Sequence, residues 1–408
     1  MSTFTLSSII EEWGGLIQTG PFGSQLHQHD YSEVGVPVVM PKDIRNGRVD
    51  ESGIARIPKN KADQLSRHFL KAGSVVFPRR GEISKCAYIN EEQAGFLCGT
   101  GCIKIEPPED RLRSKFLFYY LGLRQSVEWL ERNAVGTTMH NLSTKILGGL
   151  RVPLLPSKKQ DEIVAILSAY DDLIENNRRR IQLLEQSARL LYKEWFVNLH
   201  FPGHEHTKII DGVPEGWERK KIAEISVTIG GGTPSTKVSE YWDGDITWVV
   251  PSDITSSKSL ILLESERKIT EKGLRNSSAK IVPAETILMT SRASIGFFTL
   301  MDHEVCTNQG FINIIPYDSQ LRMYLLLNLM NRVSEIRSNA KGTTYPEISK
   351  GRFREMDILI PDKALVIQFE MIAYEIIRQI RFLMRSNANL AKVSDLLLPK
   401  LMNGEVVI

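Results

Sequence analysis

The 408-residue sequence predicts a mixed α/β (α+β) chain built from two duplicated α/β domains, each followed by one long helix, with a pseudo-twofold plan. Three observations predict it. Blocks of sequence recur in the same order about 207 residues apart. Within each copy, short apolar runs broken by glycine, proline and asparagine alternate with amphipathic stretches. After each copy the pattern changes to a long apolar seam of heptad spacing.

The repeat is carried by five blocks. "VVMPKDI" (38–44) matches "WVVPSDI" (248–254), so Pro41 and Asp43 fall on Pro251 and Asp253. "AGSVVFPRRGEIS" (72–84) matches "AETILMTSRASIG" (284–296), with Arg80 on Arg292 and Ile83 on Ile295. "GTGCIKI" (99–105) matches "TNQGFINI" (307–314), with Gly101 on Gly310. "GTTMHNLS" (136–143) matches "GTTYPEIS" (342–349), 206 residues on, and "LRVPLLP" (150–156) matches "MDILIP" (356–361). Such a period is far too long for a solenoid and marks a duplicated domain. The runs "SVVF", "CIKI", "TILM" and "FINII" predict strands, and the stretches 114–130 and 320–336 predict helices.

After Pro156, Ile163, Leu167, Tyr170, Ile174, Asn177, Ile181, Leu184, Ala188, Leu191 and Trp195 recur at alternating spacings of four and three. After Pro361 a less regular series follows: Phe369, Ile372, Ile376, Gln379, Leu383, Ser386, Leu390, Val393 and Leu397. Each helix, of about 36 residues, is roughly 54 Å long. An apolar seam of that length needs a partner, and the matched helix of the same chain supplies one, giving an intramolecular antiparallel coiled coil. The other reading is a coiled coil that dimerises the protein. The single polar residue of the central seam, Asn177, would favour one register at some cost in stability.

Composition bounds the rest. A hydrophobic content of 42%, a charged content of 24% and a net charge of +3 suit a globular protein and permit nucleic-acid binding without arguing for it. Cys98 and Cys102 are spaced as a metal pair, yet no second pair completes a site, so reduced, packed thiols are the simpler expectation and no metal site is assigned. The opening residues lack a basic region followed by a long apolar run, and nowhere do about 18 apolar residues run uninterrupted, so a cytoplasmic protein without membrane association is expected. "GGGTPSTK" (230–237) has glycines but no Gly-Lys-Ser/Thr ending and reads as a turn rather than a phosphate loop. No dinucleotide fingerprint, methyltransferase tetrapeptide or complete nuclease motif is present, and "HEH" (204–206) lies in a Pro/Gly-bounded linker. A binding protein, with no catalytic residues, is expected.

The duplicated unit, with "GPFGSQL…GVPVVMPKDI" opening one copy and "GGTPST…YWDGDI.WV.PSDI" the other, the "GTT" phrases before the helices, and "LLPKLMNGEV" (397–406), resembles the specificity subunit of type I restriction-modification enzymes over nearly the whole chain. The resemblance implies a target recognition domain at 1–157, a central coiled-coil helix at 158–199, a linker and second recognition domain at 200–361, and a C-terminal helix and tail at 362–408. It implies that each domain reads one half of a bipartite, asymmetric site in double-stranded DNA. The helices would set the spacer and dock two modification (methyltransferase) subunits carrying S-adenosylmethionine. Restriction (helicase-nuclease) subunits, using ATP and Mg, would complete the complex, and no cofactor would belong to this chain. The alternative is a standalone coiled-coil DNA-binding regulator or scaffold.

Base reading needs side chains that reach donors and acceptors on base edges, beside cations that neutralise phosphates. In the first domain the candidates are Lys42, the loop residues Arg79, Arg80 and Lys85, and Thr137, Thr138, His140 and Asn141 of the first "GTT" phrase. In the second they are Ser291, Arg292 and Ser294, with Lys341, Thr343, Thr344 and Tyr345. The repeated Pro-x-Asp-Ile blocks are expected to be structural turns. Positions that differ between the copies are the better specificity candidates, because the two halves should read different bases.

Overall fold

The computed structural model describes residues 3–135, 141–257, 259–342 and 345–406. The chain divides into two compact units, Met1–Asp172 with Leu390–Ile408, and Leu173–Asn389. Each unit holds one copy of the repeated domain and part of both long helices, Ser157–Tyr192 and Lys363–Asn403.

The strands expected from the apolar runs form at Val75–Pro78, Cys102–Glu106, Ile287–Thr290 and Phe311–Pro316. They read as continuous apolar runs because both of their faces are covered. In the first unit an antiparallel sheet runs in the order Leu16–Thr19, Cys102–Glu106, Val75–Pro78, Ala87–Tyr88. A smaller sheet places Val36–Val39 between an antiparallel Ala55–Ile57 and a parallel Leu97–Cys98. The second unit repeats both sheets strand for strand. Ser226–Gly230, Phe311–Pro316, Ile287–Thr290 and Phe298–Thr299 form the larger, and Trp242–Val249 lies between Arg267–Ile269 and Cys306–Thr307 in the smaller. Thr3–Thr5 pairs with Arg151–Pro153, and Glu218–Lys221 with Asp357–Ile360, in the same relative places. The duplication read from five blocks is thus a duplication of topology.

Each amphipathic stretch expected as one helix is two. Ser114–Leu121 and Arg124–Asn133 are separated at Leu123, whose backbone is extended (φ −62°, ψ 139°), and the Ser126 hydroxyl donates to the Tyr120 carbonyl across the break at 2.8 Å. Arg322–Asn331 and Val333–Ser338 are separated at Arg332. Apolar periodicity continues through both breaks, which is why it did not reveal them.

In the first unit Ile163 and Leu167 are fully buried in one core with Leu6, Ile9, Phe77, Phe116, Leu401 and Met402. Buried Gln160 fastens the helix start, donating to the carbonyls of Arg111 (2.8 Å) and Leu155 (2.7 Å) and accepting from the Arg113 amide (2.8 Å). In the second unit Trp195 packs on Phe369 (centroids 5.8 Å) while Asn177 meets Asn387, so the two helices run antiparallel there. A turn of π-helix, Lys193–Val197, ends the central helix and turns Phe196 into an aromatic core with Tyr324 and Phe369, both at 4.8 Å.

The seam expected on the central helix is buried or half-buried at every position: Ile163, Leu167, Tyr170, Ile174, Asn177, Ile181, Leu184, Ala188, Leu191 and Trp195. The seam expected on the C-terminal helix needs correction. Phe369, Ile376, Leu383, Leu390 and Leu397 face inward, but Ile372 is 45% and Val393 41% exposed, and Gln379 is exposed. Their neighbours Ala373 and Ile380 are fully buried instead. Adjacent apolar pairs such as Ile372–Ala373 and Ile376–Ile377 give two candidate phases, and the expected series took Ile372 where the structure buries Ala373.

All four cysteines are buried and unpaired. Burial pushes the Cys86 and Cys98 thiols up to about 12 and Cys306 to about 11, as expected of packed core thiols. Among the described residues no helix is long and apolar enough to cross a membrane.

Candidate nucleic-acid interface

The two loops singled out in each copy meet at one junction. In the first unit the strand Val75–Pro78 delivers Arg79, whose amide donates to the Gly101 carbonyl at 2.7 Å, while its carbonyl accepts from Leu142 at 2.8 Å. Arg80 then bridges Asn141, and the backbone turns left-handed at Gly81 (φ +83°). In the second unit Ser291 donates to Gly310 at 2.8 Å and accepts from Ile348 at 3.0 Å, and Arg292 bridges Glu347. There the left-handed residue is Ala293 (φ +59°), a conformation costly for a side chain with a Cβ, held by its amide donating to the Pro346 carbonyl at 2.9 Å. Val135 pairs with Asn141, and Lys341 with Glu347, on the strand side of each arginine bridge. Ser143 and Ser349 cap the following helices, accepting from Ile146 (3.2 Å) and Arg352 (3.3 Å).

The repeated Pro-x-Asp blocks are structural, as expected: Pro41–Asp43 is a single 3-10 turn, and Pro251 opens the short helix Pro251–Ser257. The Asp43 carboxylate accepts from the Met40 amide and Asp253 from Val250, each at 2.9 Å. The matched glycines belong to the same device: a Cβ on Gly101 would lie 2.8 Å from the Pro41 ring, and one on Gly310 3.1 Å from Pro251.

Of the candidates in the first unit, Lys42 and Arg80 are exposed, and with Arg45 and Lys85 they line one cleft. Glu82 is the only acid lining it, and its carboxylate pairs with Lys85 at 2.7 Å. Arg45, missed in the sequence, pairs with Asp50 at 3.3 Å. Arg79 is half-buried, and its Nε, like Oδ1 of Asn141, is enclosed without a hydrogen-bond partner among the described residues. Thr137, Thr138 and His140 lie outside the described residues, as do Thr343 and Thr344. In the second unit Arg292, Ser294, Lys341 and Tyr345 are exposed, Tyr345 at 74%. Ser291 is 2% exposed, so its hydroxyl is not presented at the surface; it is the backbone counterpart of Arg79. The repeat places Ser252, Thr255 and Phe297 where the first unit has Lys42, Arg45 and Lys85, so the basic cleft belongs to the first unit alone. Glu347 was also missed. Its signal was its alignment with Asn141 in two otherwise similar phrases.

One cluster could suggest a metal: donor atoms of His27, His29 and Asp30 lie within 4.8 Å of one another. The Asp30 carboxylate is already engaged by the His27 amide (2.8 Å) and the Lys61 ammonium (3.2 Å), which hold its carboxyl below the usual range and make the cluster an ion-paired turn.

Two copies of one mixed fold, each with an arginine bridged to the residue two before a helix-capping serine, make this a duplicated two-domain protein. A family model described as the type I restriction modification DNA specificity domain matches residues 24–186 and again 214–371. The chain belongs to that family, as a specificity subunit with repeated target recognition domains. It is 40% identical over 154 residues to the specificity subunit of type I restriction enzyme MjaIX from Methanocaldococcus jannaschii, covering 37% of this chain and 36% of that protein. Against the HindI specificity subunit of Haemophilus influenzae it is 22% identical over 402 residues, covering 83% and 87%. The crystal structure of a type I restriction-modification S subunit from M. genitalium shares the fold, with a TM-score of 0.57 at 17% identity over 98% of this chain and 95% of that one.

Proposed function

We propose that this chain is the non-catalytic DNA-reading subunit of a type I restriction-modification complex, and that each recognition domain reads one half of a bipartite, asymmetric site in double-stranded DNA. One observation carries this reading. The two domains share their two main sheets and the same loop junction, yet differ in the side chains there: Lys42, Arg45 and Lys85 beside Arg80 in one, and Ser252, Thr255 and Phe297 with an Arg292–Glu347 ion pair in the other. A common frame with different reading groups is what two dissimilar half-sites require. Lys42, Arg80, Lys85 and Asn141 in the first domain, and Arg292, Ser294, Lys341 and Tyr345 in the second, are the proposed contacts.

The long helices set the spacer between the half-sites and dock two modification subunits. Leu183 (56% exposed) and Leu190 (52%) stand seven residues apart on the central helix, and Met371 and Phe382 are each 71% exposed on the other. Apolar side chains left open along helices are suited to burial against a partner. S-adenosylmethionine would be held by the modification subunits, and ATP and Mg by the restriction subunits, in the cytoplasm. The test is to express the chain with its modification subunit in a host lacking such systems and map methylated bases genome-wide. Methylation at a two-part motif with a fixed unread spacer is expected, and methylation at a single continuous motif would overturn the reading.

A further inference from the structure

At the arginine bridge the two copies share a backbone arrangement but differ in the partner residue. Arg80 bridges Asn141, and Arg292 bridges Glu347, at matched positions of matched junctions. In the second unit the Glu347 carboxylate grips the arginine, its Oε2 accepting from Nη2 at 2.8 Å and from Nε at 3.1 Å. Both side chains stay nearly half exposed, at 46% and 41%. In the first unit, among the described residues, no carboxylate pairs with Arg80, which lies open on the basic cleft. Asn141 there keeps an enclosed Oδ1 without a partner.

We propose that Asn141 and Glu347 are matched specificity-determining positions, each setting what the arginine beside it recognises; this rests on the reading of the two domains as half-site readers. An arginine offers donors only, and unpaired it matches the two acceptors of guanine in the major groove. Glu347 changes that face in two ways. It fixes the Arg292 guanidinium in one orientation, and it places a pure acceptor beside it, with Arg292 held by Oε2 alone. A donor next to an acceptor matches a base edge that carries an amino group, on cytosine or adenine. The first domain therefore favours guanine at this step, and the second an amino-bearing base. The left-handed turn after each arginine, kept even where the residue is Ala293, holds the pair at the surface.

The exchange Glu347→Asn, which installs the first domain's residue in the second, tests this in the full chain co-expressed with its modification subunit. Backbone pairing of residue 347 with Lys341 (2.9 Å both ways) does not depend on the side chain, and an exposed ion pair contributes little to folding. Methylation mapping should show the second half-site changed at one step, by roughly ten- to hundredfold in base preference, with the first half-site intact. Asn141→Glu should change the first half-site alone. An unchanged motif in both variants overturns the proposal while leaving half-site reading in place. Loss of all methylation with unaltered melting and assembly also overturns it, because Glu347 would then serve binding in general. A wild-type chain giving no two-part motif would instead sink the underlying reading.

Discussion

The side-chain amide of Asn177 donates to Oδ1 of Asn387 at 2.9 Å, in a seam otherwise made of aliphatic and aromatic residues. Asn177 is only 8% exposed, and Asn387 in turn donates to the Ile174 carbonyl at 3.3 Å. A buried polar pair of this kind contributes little net stability when satisfied and is costly when half of it is removed. Asn177→Leu should destabilise the chain by about 1–3 kcal/mol, because Asn387 keeps its desolvation cost and loses a partner. The double variant Asn177→Leu, Asn387→Leu should recover that loss, since two matched apolar groups replace the pair. Denaturant unfolding of wild type, the two single variants Asn177→Leu and Asn387→Leu, and the double variant gives the coupling. Equal destabilisation in the single and double variants would show that the asparagines do not act together.

Burial pushes the Glu370 carboxyl up to about 7, despite its acceptance of a hydrogen bond from the Met323 amide at 2.8 Å and the nearby Arg322. A carboxyl whose folded pKa exceeds its unfolded value of 4.5 binds more protons folded than unfolded between those two values, so stability falls as pH rises through that window. The loss is about 3 kcal/mol, nearly complete by roughly pH 8. Glu370→Gln keeps an acceptor for Met323 and has nothing to ionise. It should melt like wild type at pH 5 and at a higher temperature at pH 8. A pH profile parallel to wild type would assign the slope elsewhere.

The repeat, its strands and the central seam were legible because each rests on spacing, and spacing survives in the sequence. Position 372 shows where legibility ended. Applied to the central seam, the 206-residue offset of the "GTT" phrases puts Leu167 on Ala373, Ile174 on Ile380 and Ile181 on Asn387, the phase the structure adopts. The expected series instead took Ile372 and Gln379, one residue short of that offset. Glu347 and the orphaned Oδ1 of Asn141 are of another kind, since their meaning depends on which loop folds against which. No periodicity carries that information.

Phe382 is 71% exposed, one residue before the fully inward Leu383 (3%). Its ring is solvated as the chain stands, so Phe382→Asp should leave the melting temperature within about 0.5 kcal/mol of wild type in stability terms. The proposed docking of modification subunits on the helices predicts a different outcome for assembly. Co-purified modification subunit should fall by tenfold or more, measured by size-exclusion chromatography with light scattering. Undiminished assembly would remove this face of the helix from the docking surface.

The proposal that the helices set the spacer makes a stricter demand. Inserting one heptad, matched, into both Ser157–Tyr192 and Lys363–Asn403 keeps the apolar seam in phase and lengthens the pair by roughly 10 Å. The two recognition domains would then need half-sites about three base pairs further apart. They would also need to turn about the duplex by roughly 100°, since about 10.5 pairs make one turn. The original motif should be lost, and where the domains reorient, the same two half-sites should be methylated across a longer spacer. Two residues inserted per helix shift the seam out of phase and should cost folding instead, which separates a spacing effect from damage. Were the heptad variant to methylate the original motif with full efficiency, the spacing would be set elsewhere, because nothing else about the reading surfaces would have changed.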